Sequence, residues 1–279
     1  MPGMSDTNIA TTVTLNNGVE MPLFGLGTYR AGPGCGTEDA VIQALEAGYR
    51  LIDTASYYRN EREIGAAIKR SGVPRDEIFV TTKLWNDDHG FESTIGACRR
   101  SMAELDLEYL DQYLIHWPVS ASRIESWRAM EALLAQGLCR SVGVSNYNVG
   151  HLEELLAKAE VCPAVNQVEF HVFLFQEELL ECCRANGIVL VAFSPLARTR
   201  GFSDSRVQEV ASHYEKTPAQ IYLRWALQHH VAVIPKSSSR ERILENADVF
   251  DFSISGEDMR ILDSLDGEIR VSRDPAEES

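Results

Sequence analysis

Residues 79–105 read FVTTKLWNDDHGFESTIGACRRSMAEL, which is a short apolar run, a polar loop and then a segment with helical spacing of its apolar residues. The run Phe79–Lys83 has the length of a buried strand, and Phe91–Leu105 has the 3.6-residue periodicity of a helix that packs on one face. A strand followed directly by a helix is the repeating unit of a parallel α/β protein.

The same unit recurs along the rest of the chain. Strands are predicted at Leu23–Gly27, Arg50–Asp53, Phe79–Lys83, Gln112–His116, Ser141–Val144, Ala164–Glu169, Val189–Phe193 and Val231–Ile234. Helical segments between them include Glu38–Ala47, Glu61–Lys69, Phe91–Leu105, Ile124–Gln136, Val149–Lys158, Gln176–Asn186 and Pro218–Gln228. Eight such units predict an α/β fold of the (β/α)8 TIM barrel type. A doubly wound sheet has the same local pattern and is the alternative.

A hairpin precedes the repeated units. Thr11–Leu15 alternates, Asn17-Gly18 follows, and Val19–Pro22 resumes the strand pattern, which is typical of a β-hairpin. No linker or shift in composition divides the chain, so we predict a single barrel domain over residues 1–279. The polar ends, residues 1–10 and 271–279, are predicted to be flexible.

The chain is acidic, because 26 basic and 41 acidic side chains give a formal net charge of −15. An acidic surface repels phosphate backbones and anionic headgroups, so we expect neither a nucleic-acid nor a membrane partner. No apolar run reaches the roughly 18 residues of a transmembrane helix, and Met1–Ala10 lacks the apolar centre of a signal peptide. The six cysteines form no Cys-x-x-Cys motif, which favours thiols in a reducing compartment. We therefore expect a cytoplasmic protein.

Polar and aromatic residues follow almost every predicted strand, and in a barrel these strand ends meet on the face that carries the chemistry. Asp53, Tyr58, Lys83 and His116 suit one reaction. An adjacent ammonium favours phenolate, so we expect Lys83 to lower the pKa of Tyr58 from its ordinary value of about 10. Asp53 would hold the lysine charged, and His116 would orient the substrate oxygen. The set suits protonation of an oxygen that gains negative charge, as a carbonyl oxygen does when hydride reaches its carbon.

A second cluster lies after the last predicted strand, where the chain reads KSSSRER over residues 236–242. Serines ahead of a helix leave backbone N–H groups free, and the helix N-terminus favours anions. Lys236 and Arg242 add positive charge that the rest of the surface lacks. The stretch therefore indicates a phosphate site, with a solvated helix start as the alternative.

Five motifs in this order resemble the signatures of the aldo-keto reductases. They are DTASYYRNE at 53–61, TKLW at 82–85, LIHWP at 114–118, GVSN at 143–146 and IPKS at 234–237. The resemblance runs from about residue 15 to about residue 265, and the short loops are most similar to those of bacterial 2,5-diketo-gluconate reductases and related aldehyde reductases. The family is a barrel that binds NADPH without a Rossmann fold.

The resemblance implies a role for each matching position. Tyr58 would be the general acid, tuned by Lys83 and Asp53, with His116 orienting the carbonyl. The implied cofactor-binding residues are Gly27, Thr28, Asp53, Ser145, Asn146, Gln167, Phe193, Ser194, Pro195, Leu196, Ile234, Lys236, Ser237, Ser238, Ser239, Arg242, Glu245 and Asn246. By the same resemblance, Ser145, Asn146 and Gln167 would hold the nicotinamide carboxamide, Phe193 would stack on the nicotinamide ring, and Ser194–Leu196 would contact the pyrophosphate. Lys236, Ser237, Ser239 and Arg242 would bind the adenosine 2′-phosphate that distinguishes NADPH from NADH, and Glu245 and Asn246 would meet the adenine. The implied substrate-binding residues are Tyr29, Tyr58, Trp85, His116 and Trp117.

The chain departs from the family pattern at a few positions. Phe193 stands where many relatives stack a tyrosine, and Tyr29 stands where many have tryptophan. Arg198 and Arg200, after the seventh strand, are expected either to close over the pyrophosphate or to bind an acidic substrate. The histidines show no ligand spacing, so we expect no metal.

The sequence thus predicts a monomeric, NADP-dependent oxidoreductase that reduces aldehydes and ketones to alcohols, with a small carbonyl compound as its partner. Two alternatives remain. One is an NADPH-binding barrel with a regulatory or structural role and little catalysis. The other is an isomerase or lyase barrel with a phosphate site after its seventh and eighth strands.

Overall fold

A barrel of eight parallel strands forms the centre of the protein in a computed structural model that describes residues 7–30, 36–119 and 121–278. The barrel strands are β3 (Gly25–Gly27), β4 (Leu51–Asp53), β5 (Phe79–Leu84), β6 (Leu110–Ile115), β7 (Cys139–Ser145), β8 (Val165–Glu169), β9 (Val189–Phe193) and β10 (Ala232–Val233). Each strand pairs with the next in chain order, and bridges from Phe24 to Val233 and from Gly27 to Lys236 close the ring. This order confirms the (β/α)8 prediction and excludes the doubly wound sheet, whose strand order reverses.

Helices surround the barrel. They are α1 (Thr37–Glu46), α2 (Glu61–Ser71), α3 (Phe91–Leu105), α4 (Arg123–Ala135), α5 (Val149–Leu156), α6 (Glu177–Ala185), α7 (Ser205–His213), α8 (Pro218–Gln228), α9 (Arg240–Ala247) and α10 (Gly256–Asp263). The seven helical segments named from the sequence are all present. Helices α7, α9 and α10 were not among those named segments, although α9 is the helix expected after the basic cluster.

The barrel strands are buried on both sides. All six residues of β5 and all six of β6 are buried, because the outer face meets helices and the inner face meets the rest of the barrel. The inner positions near the carboxyl end are polar, and Lys83 is fully buried there. A polar layer inside an apolar fold needs internal partners, and these partners build the site described below.

The predicted hairpin consists of β1 (Thr12–Thr14) and β2 (Glu20–Pro22), paired antiparallel. The side-chain amide of Asn17 donates to the carbonyl of Arg140 at 2.9 Å, at the beginning of β7. The hairpin therefore covers the amino-terminal end of the barrel and leaves the opposite end open.

The C-terminal segment runs back over that opposite end. The backbone N–H groups of Val271 and Ser272 donate to the carboxylate of Glu169 at 2.6 and 2.9 Å. Flexibility of residues 271–279 stays a prediction, although these contacts tie residues 271–272 to the barrel. Residues 1–6 and 279, also predicted to be flexible, lie outside the described residues. Among the described helices, none is both long and apolar enough to cross a membrane.

Candidate active site

A buried ion pair lies at the carboxyl ends of two neighbouring barrel strands. Lys83 of β5 donates from Nζ to Oδ1 of Asp53, the last residue of β4, at 2.7 Å and to the carbonyl of Thr54 at 2.9 Å. Gln167 of β8 reaches across the barrel and donates from Nε2 to the other carboxylate oxygen of Asp53 at 2.7 Å. Burial raises the pKa of Asp53 and lowers that of Lys83, and their mutual attraction opposes both shifts. The lysine is therefore held at a fixed point.

Tyr58 is carried into the site by a tight 3₁₀ turn, Ser56–Tyr58, that follows β4. Arg59 ends this turn in the left-handed region with φ 57°. The buried side chain of Asn60 then ties the turn down, since it accepts from the hydroxyl of Thr54 at 2.8 Å and donates to the carbonyl of Thr28 at 3.1 Å. As a result the ring centroid of Tyr58 lies 5.3 Å from Nζ of Lys83.

The pKa of Tyr58 is shifted in the direction opposite to the sequence-based expectation. Burial raises the pKa well above 10, and the charge of Asp53 and the neighbouring Tyr29 raise it further. The expected lowering by Lys83 is wrong, because desolvation of the phenolate and the negative charge of Asp53 both raise the pKa of Tyr58. Tyr58 therefore keeps its proton at neutral pH, as a proton donor must.

His116 faces Tyr58 from the end of β6. The two rings are 5.7 Å apart and nearly perpendicular. Burial and the charge of Lys83 hold the pKa of His116 well below 6.5, so the imidazole is neutral. Nδ1 of His116 is buried without a hydrogen-bond partner among the described residues. A neutral imidazole beside a protonated phenol suits recognition of a substrate oxygen.

Aromatic side chains form the wall around this pair. Tyr29 is 5.1 Å from Tyr58, and Trp85 is 5.3 Å from His116, measured between ring centroids. Tyr57, which the sequence analysis did not select, stacks on Trp85 at 3.8 Å and is 48% exposed. Its position next to Tyr58 in the YY pair was the signal that could have found it. Trp117 follows His116 and is half-buried.

The residues expected to hold a nicotinamide carboxamide lie side by side. Ser145 donates from Oγ to the carbonyl of Gln167 at 2.7 Å, and Asn146 donates from Nδ2 to the carbonyl of His116 at 2.9 Å. Asn146 has a φ of 63°, a conformation that costs energy for a residue other than glycine. This position directs the amide side chain of Asn146 towards the carbonyl of His116 and the hydroxyl of Ser145.

The candidate stacking residue, Phe193, ends β9 and pairs in register with Glu169 of β8. Its ring is half-buried, so part of it is available to a flat ligand. Ser194–Leu196 follow directly, and Ser194 has a φ of 49°. These residues therefore lie at the same end of the barrel as the amide cluster.

The basic cluster begins after β10. Lys236 and Arg242 are exposed, Ser237 is buried, and Ser239 precedes α9 without a side-chain cap on its first N–H groups. Uncapped N–H groups and two cations are the groups that a phosphate would require in an acidic protein. Of the expected adenine contacts, Asn246 is buried, and Glu245 accepts from the hydroxyl of Thr217 at 2.7 Å.

Gly27 and Thr28 join the basic cluster to the ion pair. Thr28 donates from its hydroxyl to the carbonyl of Asp53 at 2.9 Å. A side-chain carbon at Gly27 would lie 2.6 Å from the carbonyl oxygen of Ile234, so only glycine allows this close approach. The structure thus brings the sequence-predicted site residues to the carboxyl ends of the strands or to the loops and helix start that follow them, except for Glu245 and Asn246, which lie in the last turn of α9. Within the described residues, no three His, Cys, Asp or Glu side chains are grouped so that they could hold a metal ion.

Comparison with known proteins yields consistent matches. The model of the "Aldo/keto reductase family" matches residues 25–267. A glyoxal reductase of Bacillus subtilis is 48% identical over 271 residues, which is 97% of this chain and 98% of that protein. The crystal structure of an aldo-keto reductase from a Medee basin deep-sea metagenome library is 44% identical with a TM-score of 0.90, covering 94% of this chain and 97% of that one. The Bombyx mori aldo-keto reductase in complex with NADP is 34% identical with a TM-score of 0.91, covering 96% of each chain.

Proposed function

The chain belongs to the aldo/keto reductase family and reduces carbonyl groups with NADPH, and we propose that Tyr58 is the acid that completes this reaction. The observation that carries the proposal is the grouping of a protonated phenol, a neutral imidazole and a buried ammonium within one small volume. When a carbonyl group is reduced to an alcohol, its oxygen must be oriented, must receive a proton and leaves negative charge to be stabilised, and these three groups can supply each function.

The proposed roles follow from the contacts. NADPH, when bound, supplies hydride for the carbonyl carbon. His116 hydrogen-bonds to the carbonyl oxygen and orients it. Tyr58 transfers its proton to that oxygen as negative charge develops, because an alkoxide is a stronger base than a phenolate. Lys83 stabilises the phenolate that remains, and Asp53 fixes Lys83. Tyr58 then regains a proton from solvent.

The residues present fit the cofactor from end to end. Ser145, Asn146 and Gln167 would hold the carboxamide, and Phe193 would stack on the nicotinamide. Ser194–Leu196 would contact the pyrophosphate. The remaining proposed contacts lie around the adenosine end of the cofactor, at Ile234, Lys236, Ser237, Ser238, Ser239, Arg242, Glu245 and Asn246. Asp53, Gly27 and Thr28 would contact the cofactor between its nicotinamide and adenosine ends.

The open alternatives are weaker. A regulatory barrel would need the dinucleotide site but not the intact Asp53–Lys83 pair facing Tyr58 and His116. An isomerase or lyase would not need the amide cluster beside a flat aromatic ring. We infer a monomer, as the family resemblance implies. We also infer a cytoplasmic location, which is supported by the unpaired thiols of the described cysteines, as expected in a reducing compartment.

The direct test is NADPH oxidation with a panel of carbonyl compounds. Aromatic aldehydes, methylglyoxal and glyoxal are the first substrates, since the Bacillus subtilis relative is named a glyoxal reductase. We expect turnover of at least one of them. Folded protein that binds NADPH, as seen by fluorescence quenching, but turns over none of the panel would support the regulatory alternative instead.

A further inference from the structure

A positively charged groove lies at the mouth of the barrel, between the loop after β9 and the C-terminal segment. It has a volume of about 420 Å³, and its lining is Ala197, Arg198, Arg200, Arg270, Val271 and Ser272. We call it the arginine groove. Its lining holds three guanidinium groups and no carboxylate, although the chain as a whole carries a net charge of −15. Arg270 also pairs with the carboxylate of Asp274 at 3.6 Å, so Arg198 and Arg200 supply most of the positive charge.

One side of the arginine groove is a rigid loop. Ala197, Arg198 and Thr199 all have positive φ, between 47° and 67°. The N–H of Arg200 donates to the carbonyl of Ala197 at 3.0 Å, and the hydroxyl of Tyr222 donates to the carbonyl of Arg200 at 3.2 Å. This backbone costs energy and is stabilised by contacts to the barrel. It presents two exposed arginines towards one space.

The other side is the C-terminal segment, which is anchored on a buried carboxylate. Glu169 accepts from the N–H groups of Val271 and Ser272 and from the hydroxyl of Ser272. Glu169 also contacts Nε2 of His171 at 2.9 Å. Arg270 donates to Oε1 of Gln176 at 3.4 Å, so its guanidinium is held beside the groove. Both sides of the arginine groove are therefore built by contacts within the chain.

The position of the anchor places the arginine groove above the reacting groups. Glu169 and Gln167 are two residues apart on β8 and lie on the same face of the strand, with Glu169 about 6–7 Å nearer the mouth. Gln167 binds Asp53, which binds Lys83. Further along the segment, the guanidinium of Arg273 lies 5.9 Å from the ring of Trp117, next to His116. The C-terminal segment thus spans the mouth from β8 towards β6.

We propose that the arginine groove binds the carboxylate of the carbonyl substrate, so that the preferred substrates are oxo acids. The proposal rests on the proposed reductase function. The arginine groove suits a small oxyanion. Two candidates carry one: the substrate, as its carboxylate, and the cofactor, as its pyrophosphate. The substrate is favoured because half of the groove lies on the C-terminal segment above β8 and towards Trp117. The proposed pyrophosphate contacts, Ser194–Leu196, lie only on the loop after β9.

The test compares an acid with its neutral ester. Succinic semialdehyde and its methyl ester present the same aldehyde, with and without a carboxylate. The double variant Arg198→Gln/Arg200→Gln removes two cations from the arginine groove. The ratio of kcat/KM for the acid to kcat/KM for the ester should fall about tenfold or more, mainly through KM for the acid. The preference for the acid in the wild type should also weaken as ionic strength rises.

Arg99→Gln/Arg128→Gln is the matched control, since it removes the same charge from exposed positions on α3 and α4. It should leave the ratio unchanged, and a fall as large as that of the groove variant would overturn the proposal. An unchanged ratio in the groove variant together with weaker NADPH binding would assign the arginines to the pyrophosphate and also overturn it. A wild-type enzyme that reduces other aldehydes but neither of these two compounds would overturn this proposal alone, whereas no turnover of any carbonyl compound would contradict the proposed function as well.

Discussion

Burial keeps both Tyr58 and His116 in the protonation states that carbonyl reduction needs. Burial raises the pKa of Tyr58 well above 10 and lowers the pKa of His116 well below 6.5. Between these limits the phenol keeps its proton and the imidazole stays neutral. The ammonium of Lys83 assists after the proton has left, since it stabilises the phenolate.

These two shifts predict the pH dependence of reduction. With saturating NADPH and aldehyde, kcat should be flat from about pH 7 to about pH 8.5, because neither group titrates in that window. Steady-state kinetics in buffers of constant ionic strength measure it. A drop in kcat with a midpoint inside the window would show that one of the two groups ionises there and would contradict the assigned states.

A second prediction concerns the contribution of Arg242 to the preference for NADPH over NADH. Arg242→Ala should weaken NADPH binding at least tenfold, because a charge-assisted contact to the additional phosphate is lost. NADH lacks that phosphate, so its affinity should change little. Fluorescence titration with both nucleotides gives the two dissociation constants, and equal losses for both would refute the phosphate assignment.

Much of the site could be predicted at this scale, because Asp53, Lys83, His116 and Gln167 directly end or follow apolar strand runs. The direction of the Tyr58 pKa shift could not be predicted from the sequence, because it depends on how deeply the ring is buried. Tyr57 was missed for a related reason, since a residue in a 3₁₀ turn has no periodicity that shows which way it points.

At the scale of single elements, the attachment of the C-terminal segment to the barrel through Glu169 can be tested directly. Burial would raise the pKa of Glu169, but hydrogen bonds from His171, Ser272 and Val271 outweigh it, and the pKa is lowered below 4.5. A depressed carboxyl pKa gives a stabilising contribution that is complete above the unfolded value and is lost as pH falls through the folded value. The attachment should therefore persist at neutral pH and weaken in acid.

Glu169→Gln tests this attachment at neutral pH. The amide accepts hydrogen bonds through one oxygen only and carries no charge, so the amide hydrogens of Val271 and Ser272 should exchange faster with solvent than in the wild type. Exchange in β5 serves as the internal reference and should not change. If residues 271 and 272 exchange at the wild-type rate in the variant, Glu169 does not anchor the segment.

The barrel strands were predictable as elements because strands buried on both faces give continuous apolar runs, as in Val189–Phe193. The attachment of the C-terminal segment was not predictable from the sequence, because it depends on a contact between Glu169 and residues more than a hundred positions later.

At the scale of the whole molecule, the barrel closes where β3 meets the chain that follows β10. Gly27 lies at that seam, and the carbonyl oxygen of Ile234 occupies the space of its missing side chain. Gly27→Ala should lower the free energy of unfolding by about 1–3 kcal/mol, because backbone must move to admit a methyl group. Urea denaturation measures the change.

Gly256→Ala is the matched control, because no atom lies within 4 Å of the side chain it would add. That substitution in α10 should leave stability unchanged or raise it slightly. Equal stability of the wild type and the Gly27 variant would mean that the seam is looser than the structure shows. The ring order itself was predictable from eight repeated units, whereas the closeness of this seam was not.

The whole account depends on proton donation by Tyr58, and Tyr58→Phe measures it directly. The variant keeps the ring and removes only the hydroxyl, so NADPH affinity should change less than about twofold while kcat falls by about 10²–10⁴-fold, the usual contribution of a positioned acid. Tyr57→Phe, the same change on the neighbouring exposed ring, should keep most of the wild-type kcat. A Tyr58→Phe enzyme that binds NADPH and reduces aldehydes at the wild-type rate would contradict the account.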